Sequence, residues 1–217
     1  MPGSEDKSGR SRGEATRGHL LAAARTVFAE RGYGGTTVAS ITAAADTAHG
    51  TFYLYFKNKE AIFLHVISDV LDDLYLHSFT PIDELPDHHD PKRSRERIAG
   101  FLGAFARHGA IWRAILEGAL ASRVVEAHWM EQRQRFVGAV AERWEVFQDS
   151  GSLPPFDTDL AANALSSMLE WFAFTSVVFG QGPGADGEGR DPGEGMADPA
   201  VIDGLAALWA KALGMAR

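Results

Sequence analysis

The sequence predicts an all-α fold of about nine helices, a three-helix head followed by a larger helical body. Three observations predict it. Apolar residues recur at helical spacing along most of the chain. Glycine, proline and hydroxyl residues sit where such helices would start and stop. No alternation long enough to make a useful strand occurs.

Residues 1–13 (MPGSEDKSGRSRG) lack periodicity and are expected to form a flexible arm. From Glu14 the pattern turns helical, with Leu20, Ala24, Val27 and Phe28 on one face, until Gly32 and Gly34-Gly35 stop it. Thr36 or Thr37 can cap a short second helix to about Ala44, with Val38, Ile41 and Ala44 turned inward. A break at Ala45-Asp46-Thr47 leads to a third helix over about 48–55, closed by Phe56-Lys57-Asn58. A longer helix follows from near Lys59 to about Phe79. Pro81, Pro86 and Pro91 mark an acidic loop, and further helices are expected over about 92–108, 110–121, 124–150, 157–179 and 199–215. Asp157 is a suitable cap for the helix it opens. Residues 180–199, rich in Gly, Pro and charge, read as a mobile loop. The expected division is an arm at 1–13, a head at 14–60 and a body at 61–217.

With 45% hydrophobic residues the chain can bury a full core. It has no cysteine, which removes disulfides, thiolate metal sites and cysteine nucleophiles. No apolar run approaches the roughly 20 residues of a bilayer span, and the first residues lack an apolar signal core. A soluble, cytoplasmic protein is expected. The net charge of −8 argues at first against a nucleic-acid partner. Its distribution argues the other way. Residues 1–60 hold eight Lys/Arg against six acids, a balance of +2, so the remainder carries −10. A basic head can meet phosphate while an acidic body stays clear of it.

Two short helices joined by a three-residue break and propped by a longer one follow the helix-turn-helix plan. Inward positions of Thr36–Phe63 are apolar: Val38, Ile41, Phe52, Phe56 and Phe63. Outward positions near the third helix are small or hydrogen-bonding: Ala48, His49, Gly50, Thr51, Tyr53 and Tyr55. Small residues permit close approach to base edges, while Tyr hydroxyls and the ammoniums of Lys57 and Lys59 can hold phosphates. Arg10, Arg12 and Arg17 can supply an arm reaching the minor groove.

The run Thr36-Thr37-Val38, Ile41, Ala44-Ala45, Gly50-Thr51-Phe52-Tyr53, Tyr55-Phe56 and Asn58-Lys59-Glu60 resembles the signature of the TetR family of bacterial transcription regulators. The resemblance implies phosphate contacts from Thr37, Thr51, Tyr53, Tyr55 and Lys59, and bases read around Ala48, His49 and Gly50; Arg17, Thr36, Thr47 and Lys57 are further candidate DNA contacts. The turn departs from the pattern, with Asp46, Thr47 and Ala48 replacing the usual Gly, Val and capping Ser. Asp tolerates the left-handed conformation, and Thr47 can stand in as the cap if the helix starts one residue early.

The body is rich in aromatic residues spread over several helices, which suits the lining of an apolar ligand cavity. Ser166, Ser167, Thr175 and Ser176 are the expected orienting donors. The fragments FLGAFARHGAIWRA, VVEAHW and DLAANALSSMLEWFAF are similar to the effector domain of the ethionamide-resistance branch of that family. This implies a hydrophobic slot lined by Phe101, Phe105, Trp129, Phe136, Phe174 and Trp209, with Ser166 and Leu169 where the relative carries Asn; Trp112 is a further candidate from the aromatic content alone. Apolar stripes at 157–179 (Leu160, Ala164, Met168, Trp171) and 199–215 (Ile202, Leu205, Leu208, Trp209) are the expected homodimer surface, giving two-fold binding to a palindromic operator.

The expected function is a repressor released from operator DNA by a small hydrophobic molecule. The alternatives are a helical small-molecule binder with impaired DNA reading, or a regulator answering to a protein partner. No catalytic residues, metal or cofactor are expected. The Gly182–Gly187 string G-x-G-x-x-G contains Pro183 and follows no strand, and His88-His89-Asp90 lacks a well-spaced third ligand.

Overall fold

The computed structural model describes residues 5–76, 91–182 and 194–214, with backbone alone at 5–12, 76, 91 and 194. The loop at 80–91, with His88-His89-Asp90, lies outside the described residues except for Pro91, and so does most of the loop at 180–199. The helices are α1 (Glu5–Gly35), α2 (Val38–Ala44), α3 (His49–Phe52), α4 (Lys59–Leu76), α5 (Pro91–Arg107), α6 (Gly109–Ala121), α7 (Arg123–Asp149), α8 (Thr158–Phe179) and α9 (Pro199–Ala212). A 3-10 turn, Glu194–Ala197, precedes α9. Among the described residues no strand forms, and the fold is all-α as expected.

Most boundaries follow the sequence signals. Asp157 caps α8 by accepting from Leu160 N at 2.9 Å, and Asp198 caps α9 ahead of Pro199. Gly180, left-handed at φ 64°, closes α8. Two boundaries differ. Helix α1 begins at Glu5 rather than Glu14, so the expected arm is largely helical. Helix α3 is only four residues long, although hydrogen-bonded turns from Tyr55 N and Phe56 N to Phe52 O carry the coil on to Phe56.

The chain packs as two compact units: Met1–Asp69 with Ala110–Trp129, and Val70–Gly109 with Met130–Arg217. The continuous split expected after residue 60 differs from this. Periodicity marks α6 as amphipathic but does not say which neighbour covers its apolar face.

In the first unit Leu20, Ala24, Val27 and Phe28 of α1 are buried, as are Ile41, Phe52, Phe56, Phe63 and Ile115. Each large side chain buried there contributes roughly 1.5–3 kcal/mol. Phe28 and Phe63 lie 4.3 Å apart between ring centroids, and Tyr33 closes the group at 5.0 Å from Phe63. Gly118 lets α6 reach this cluster, because a Cβ there would sit 2.7 Å from Phe63 Cε1. Ala44, expected inward, is exposed, and Thr42 takes the buried place with its hydroxyl donating to Ala39 O.

In the second unit α5 packs against α8, α9 and the 3-10 turn. Trp144, Ala141, Ala162, Leu153 and Leu213 form a core against which Phe147, Phe156 and Trp209 pack. Arg133 ties α7 to α8, donating to Glu170 Oε2 at 2.7 Å, Ser167 Oγ at 2.7 Å and Asn163 Oδ1 at 3.1 Å.

Candidate nucleic-acid interface and ligand cleft

Helix α1 is broken at Gly32, whose φ of 69° is outside the range of ordinary side chains. The next residue is then clamped: Tyr33 N donates to Glu117 Oε2 at 2.9 Å, and Lys59 Nζ donates to Tyr33 O at 2.8 Å. The Lys59 ammonium also lies 4.4 Å from the Tyr33 ring centroid. Thr36 is 1% exposed and donates to Gly32 O at 2.7 Å. Its place is in the core of the bend, not on the surface expected for a DNA contact.

Thr37 is the cap of α2. Its hydroxyl accepts from Ser40 N at 3.1 Å while Ser40 Oγ accepts from Thr37 N at 3.0 Å, a reciprocal capping box. At the far end Asp46 is left-handed, φ 46°. Asp46 N donates to Ala43 O and Thr47 N to Thr42 O at 3.0 Å, the paired bonds of a Schellman motif with Asp in the usual glycine position. Ala48 caps α3 with no side-chain hydrogen bond, so Thr47 does not replace it.

Buried Phe52 and Phe56 anchor α3 and its following turn. Ala48, His49, Gly50 and Lys57 are exposed, Tyr53 is 53% exposed, and Thr47, Thr51 and Tyr55 are half-buried. The Tyr53 ring meets His49 edge-on at 5.5 Å and Phe52 at 5.4 Å. Around Gly50 the space is open, with nothing within 4 Å of where a Cβ would stand. Leu54, which residue type alone did not single out, is 78% exposed in the turn after α3. Asn58 Oδ1 accepts from Ala61 N and opens α4. Arg17 belongs to α1 rather than to an arm. Its guanidinium lies over the Phe56 ring at 5.3 Å and reaches the His65 ring at 3.2 Å. Burial, then Arg17, pushes the His65 imidazole below its usual pKa.

The second unit holds a cleft of about 570 Å³, counting its open mouth. Ser94, Arg97, Ile98 and Phe101 enter it from one face of α5. Val140, Arg143 and Trp144 enter from α7, Leu169 from α8 and Trp209 from α9. Of the expected lining residues, Phe101, Leu169 and Trp209 are here. Phe105 packs beside the cleft-lining Phe101 and Phe174 beside Phe105, ring centroids 6.2 and 6.3 Å apart, and neither lines the cleft. Phe136 is buried in a stack with Tyr75 at 4.2 Å. Trp112 and Trp129 belong to the first unit, where Trp112 is a buried core residue. Ser166 is buried and does not line the cleft. Thr175 and Ser176, expected as orienting donors, spend their hydroxyls on Phe172 O, and Ser167 accepts from Arg133. The residues missed include Ser94, Arg97 and Arg143, whose polar types read in the sequence as solvated positions, and Trp144, which aromatic content alone did not separate from ordinary core.

Among the described residues no group of acids and histidines could hold a metal, and no helix is long and apolar enough to cross a membrane.

A tri-helical head with an exposed short third helix, on a chain that also forms a helical unit with its own cleft, is the architecture of a helix-turn-helix DNA-binding transcriptional regulator. Residues 20–66 match the family model described as bacterial regulatory proteins, tetR family. This match and the relatives that follow support a TetR family transcriptional regulator. It is similar to the HTH-type transcriptional regulator EthR of Mycolicibacterium smegmatis, 26% identical over 163 residues that span 75% of this chain and 73% of that protein. It is 45% identical over 58 residues to the HTH-type transcriptional repressor DhaR of a Mycobacterium species, covering 27% of this chain and 29% of that one. In fold it is similar to GusR of Salmonella enterica, with a TM-score of 0.70 at 20% identity over 92% of this chain and 96% of that one.

Proposed function

We propose that this regulator is a dimeric repressor that leaves a palindromic operator when a small, largely apolar molecule fills the cleft of the second unit. The observation that supports DNA reading best is the presentation of α3: Phe52 and Phe56 are buried while His49, Gly50, Tyr53 and Lys57 face solvent. In this reading His49 and the backbone at Ala48 and Gly50 approach base edges. Thr37, Thr47, Thr51, Tyr53, Tyr55 and Lys57 hold phosphates, and Lys59 adds the donors that Tyr33 leaves unused. The sign of regulation is supported by DhaR and the similar KstR2 of Rhodococcus jostii, both named transcriptional repressors. Such a protein works in the cytoplasm, where the operator is.

The dimer face in this reading is the exposed stripe Leu160, Ala164 and Trp171 of α8 with Leu208 of α9. Ile202 and Leu205, expected in the same stripe, are buried within their own chain.

A gel shift with the DNA upstream of its own gene tests the reading. Each lost phosphate contact lowers the slope of log affinity against log salt by about 1. Lys57→Ala is expected to weaken binding to all sequences and flatten the slope by that amount. An unchanged slope removes Lys57 from the interface, and no shift at low salt removes the DNA-reading assignment of α3.

A further inference from the structure

Leu54 follows Tyr53 in the turn after α3, and among the described residues between Thr36 and Lys59 it is the one large aliphatic side chain left exposed. Its place is fixed from both sides. Phe52 and Phe56, two residues before and two after, are buried, and backbone bonds from Leu54 N to Thr51 O and from Phe56 N to Phe52 O hold the coil between them. A single exposed leucine is ordinary on a protein surface. This one is set apart by its surroundings. Gly50 stands one turn earlier on the same side of the coil, with nothing within 4 Å of where a Cβ would be. The exposed ammonium of Lys57 follows three residues later, and the exposed Tyr53 ring adjoins His49. A backbone that can come close to bases and polar heads that can hold phosphates therefore flank one apolar side chain. Leucine has no hydrogen bond to give, so it cannot read the donors and acceptors of base edges. The apolar group that those edges present in the major groove is the 5-methyl of thymine.

We propose that Leu54 is a specificity residue of the reading head, which selects thymine at one operator position by covering its 5-methyl group. This rests on the reading of α3 as the DNA-facing helix and adds to it a base that the head prefers. Gly50 lets the coil approach the groove floor, Leu54 meets the methyl there, and Lys57 fixes the register from the backbone.

The DNA upstream of the protein's own gene is prepared twice, once with thymine and once with uracil, which pairs alike and lacks only the methyl. Gel shifts with the full-length protein at one salt concentration compare wild type, Leu54→Ala and Leu54→Met on both fragments. Wild type is expected to bind the thymine fragment more tightly, by about fourfold for each methyl that Leu54 covers, the worth of one buried carbon group. In Leu54→Ala the preference is expected to fall by that factor, with an unchanged melting temperature because the side chain lies outside the core. Leu54→Met keeps an apolar side chain of similar volume and is expected to retain the preference. Comparing protein and DNA changes singly and together separates this pair from methyls that other residues touch. A preference that survives Leu54→Ala undiminished overturns the proposal, as does equal binding of both fragments by wild type. A Leu54→Ala that weakens both fragments alike assigns the side chain to the sugar-phosphate backbone and overturns it too. In these three cases the α3 reading stands, because the DNA is still bound. Failure to shift either fragment at low salt removes that reading and the proposal with it.

Discussion

At the scale of single residues the head depends on backbone positions as much as on side chains. Asp46 holds a left-handed conformation that closes α2. A β-branched residue there has no local hydrogen bond to offer and a crowded Cβ. Asp46→Val is expected to lower stability by about 1–2 kcal/mol, read as a lower urea midpoint at unchanged slope; an unmoved midpoint would show that the turn is not strained. Gly50 poses the opposite case. It lies inside α3 in open space, so Gly50→Ala meets nothing and should stabilise the chain by up to about 1 kcal/mol through helix propensity. The added methyl stands on the surface assigned to the operator and should weaken DNA binding. A Gly50→Ala protein that melts higher and binds DNA as well as wild type contradicts the assigned face.

At the scale of elements, the pairing of α4 with the end of α5 is electrostatic. Asp73 of α4 accepts from His108 Nε2 at 2.7 Å and from Arg107 at 3.0 Å. Burial works to raise the Asp73 carboxyl, but the hydrogen bonds and charges of Arg107 and His108 prevail and hold it below the usual range. A depressed acid stabilises the fold above its unfolded pKa, and the contribution is lost as pH falls through the folded value. Asp73→Asn is therefore expected to be less stable than wild type at neutral pH, with the gap closing below about pH 4, measured by thermal melts across pH. A gap that widens on acidification has the wrong sign for this pair. Elements were also the most legible level of the sequence. Capping residues and breakers are local chemistry, so Thr37, Asn58, Asp157, Asp198 and Gly180 end helices where their types suggest. Ala44 and Thr42 exchanged places because a short helix gives too few turns to fix the phase of its apolar face. The cleft was half legible for a related reason. Phe101, Leu169 and Trp209 follow from apolar pattern, whereas Arg97 and Arg143 look on paper like solvated charges, and only packing shows them lining a recess.

At the scale of the whole molecule the open question is what covers the apolar surface of α8 and α9. Leu160, Trp171 and Leu208 are each more than half exposed, and Trp171, at 65%, is stacked on Phe174 at 5.9 Å, which orients it. Large apolar residues grouped in this way mark an interface more often than a solvated face. An isologous dimer places the stripe against its own copy and doubles the number of recognition helices on the DNA. Trp171→Glu puts a charge at the centre of that surface, where it would be desolvated without a partner. In the isolated chain the site is open to solvent, so the substitution should cost the monomer's fold little. The expected result is a shift from dimer to monomer in analytical ultracentrifugation, with helical content kept in circular dichroism. Operator affinity should fall steeply, because half-site binding loses the joint contribution of two heads, while binding to an isolated half-site should change far less. A Trp171→Glu protein that remains dimeric and binds the full operator normally would place the interface elsewhere and leave this face to another partner.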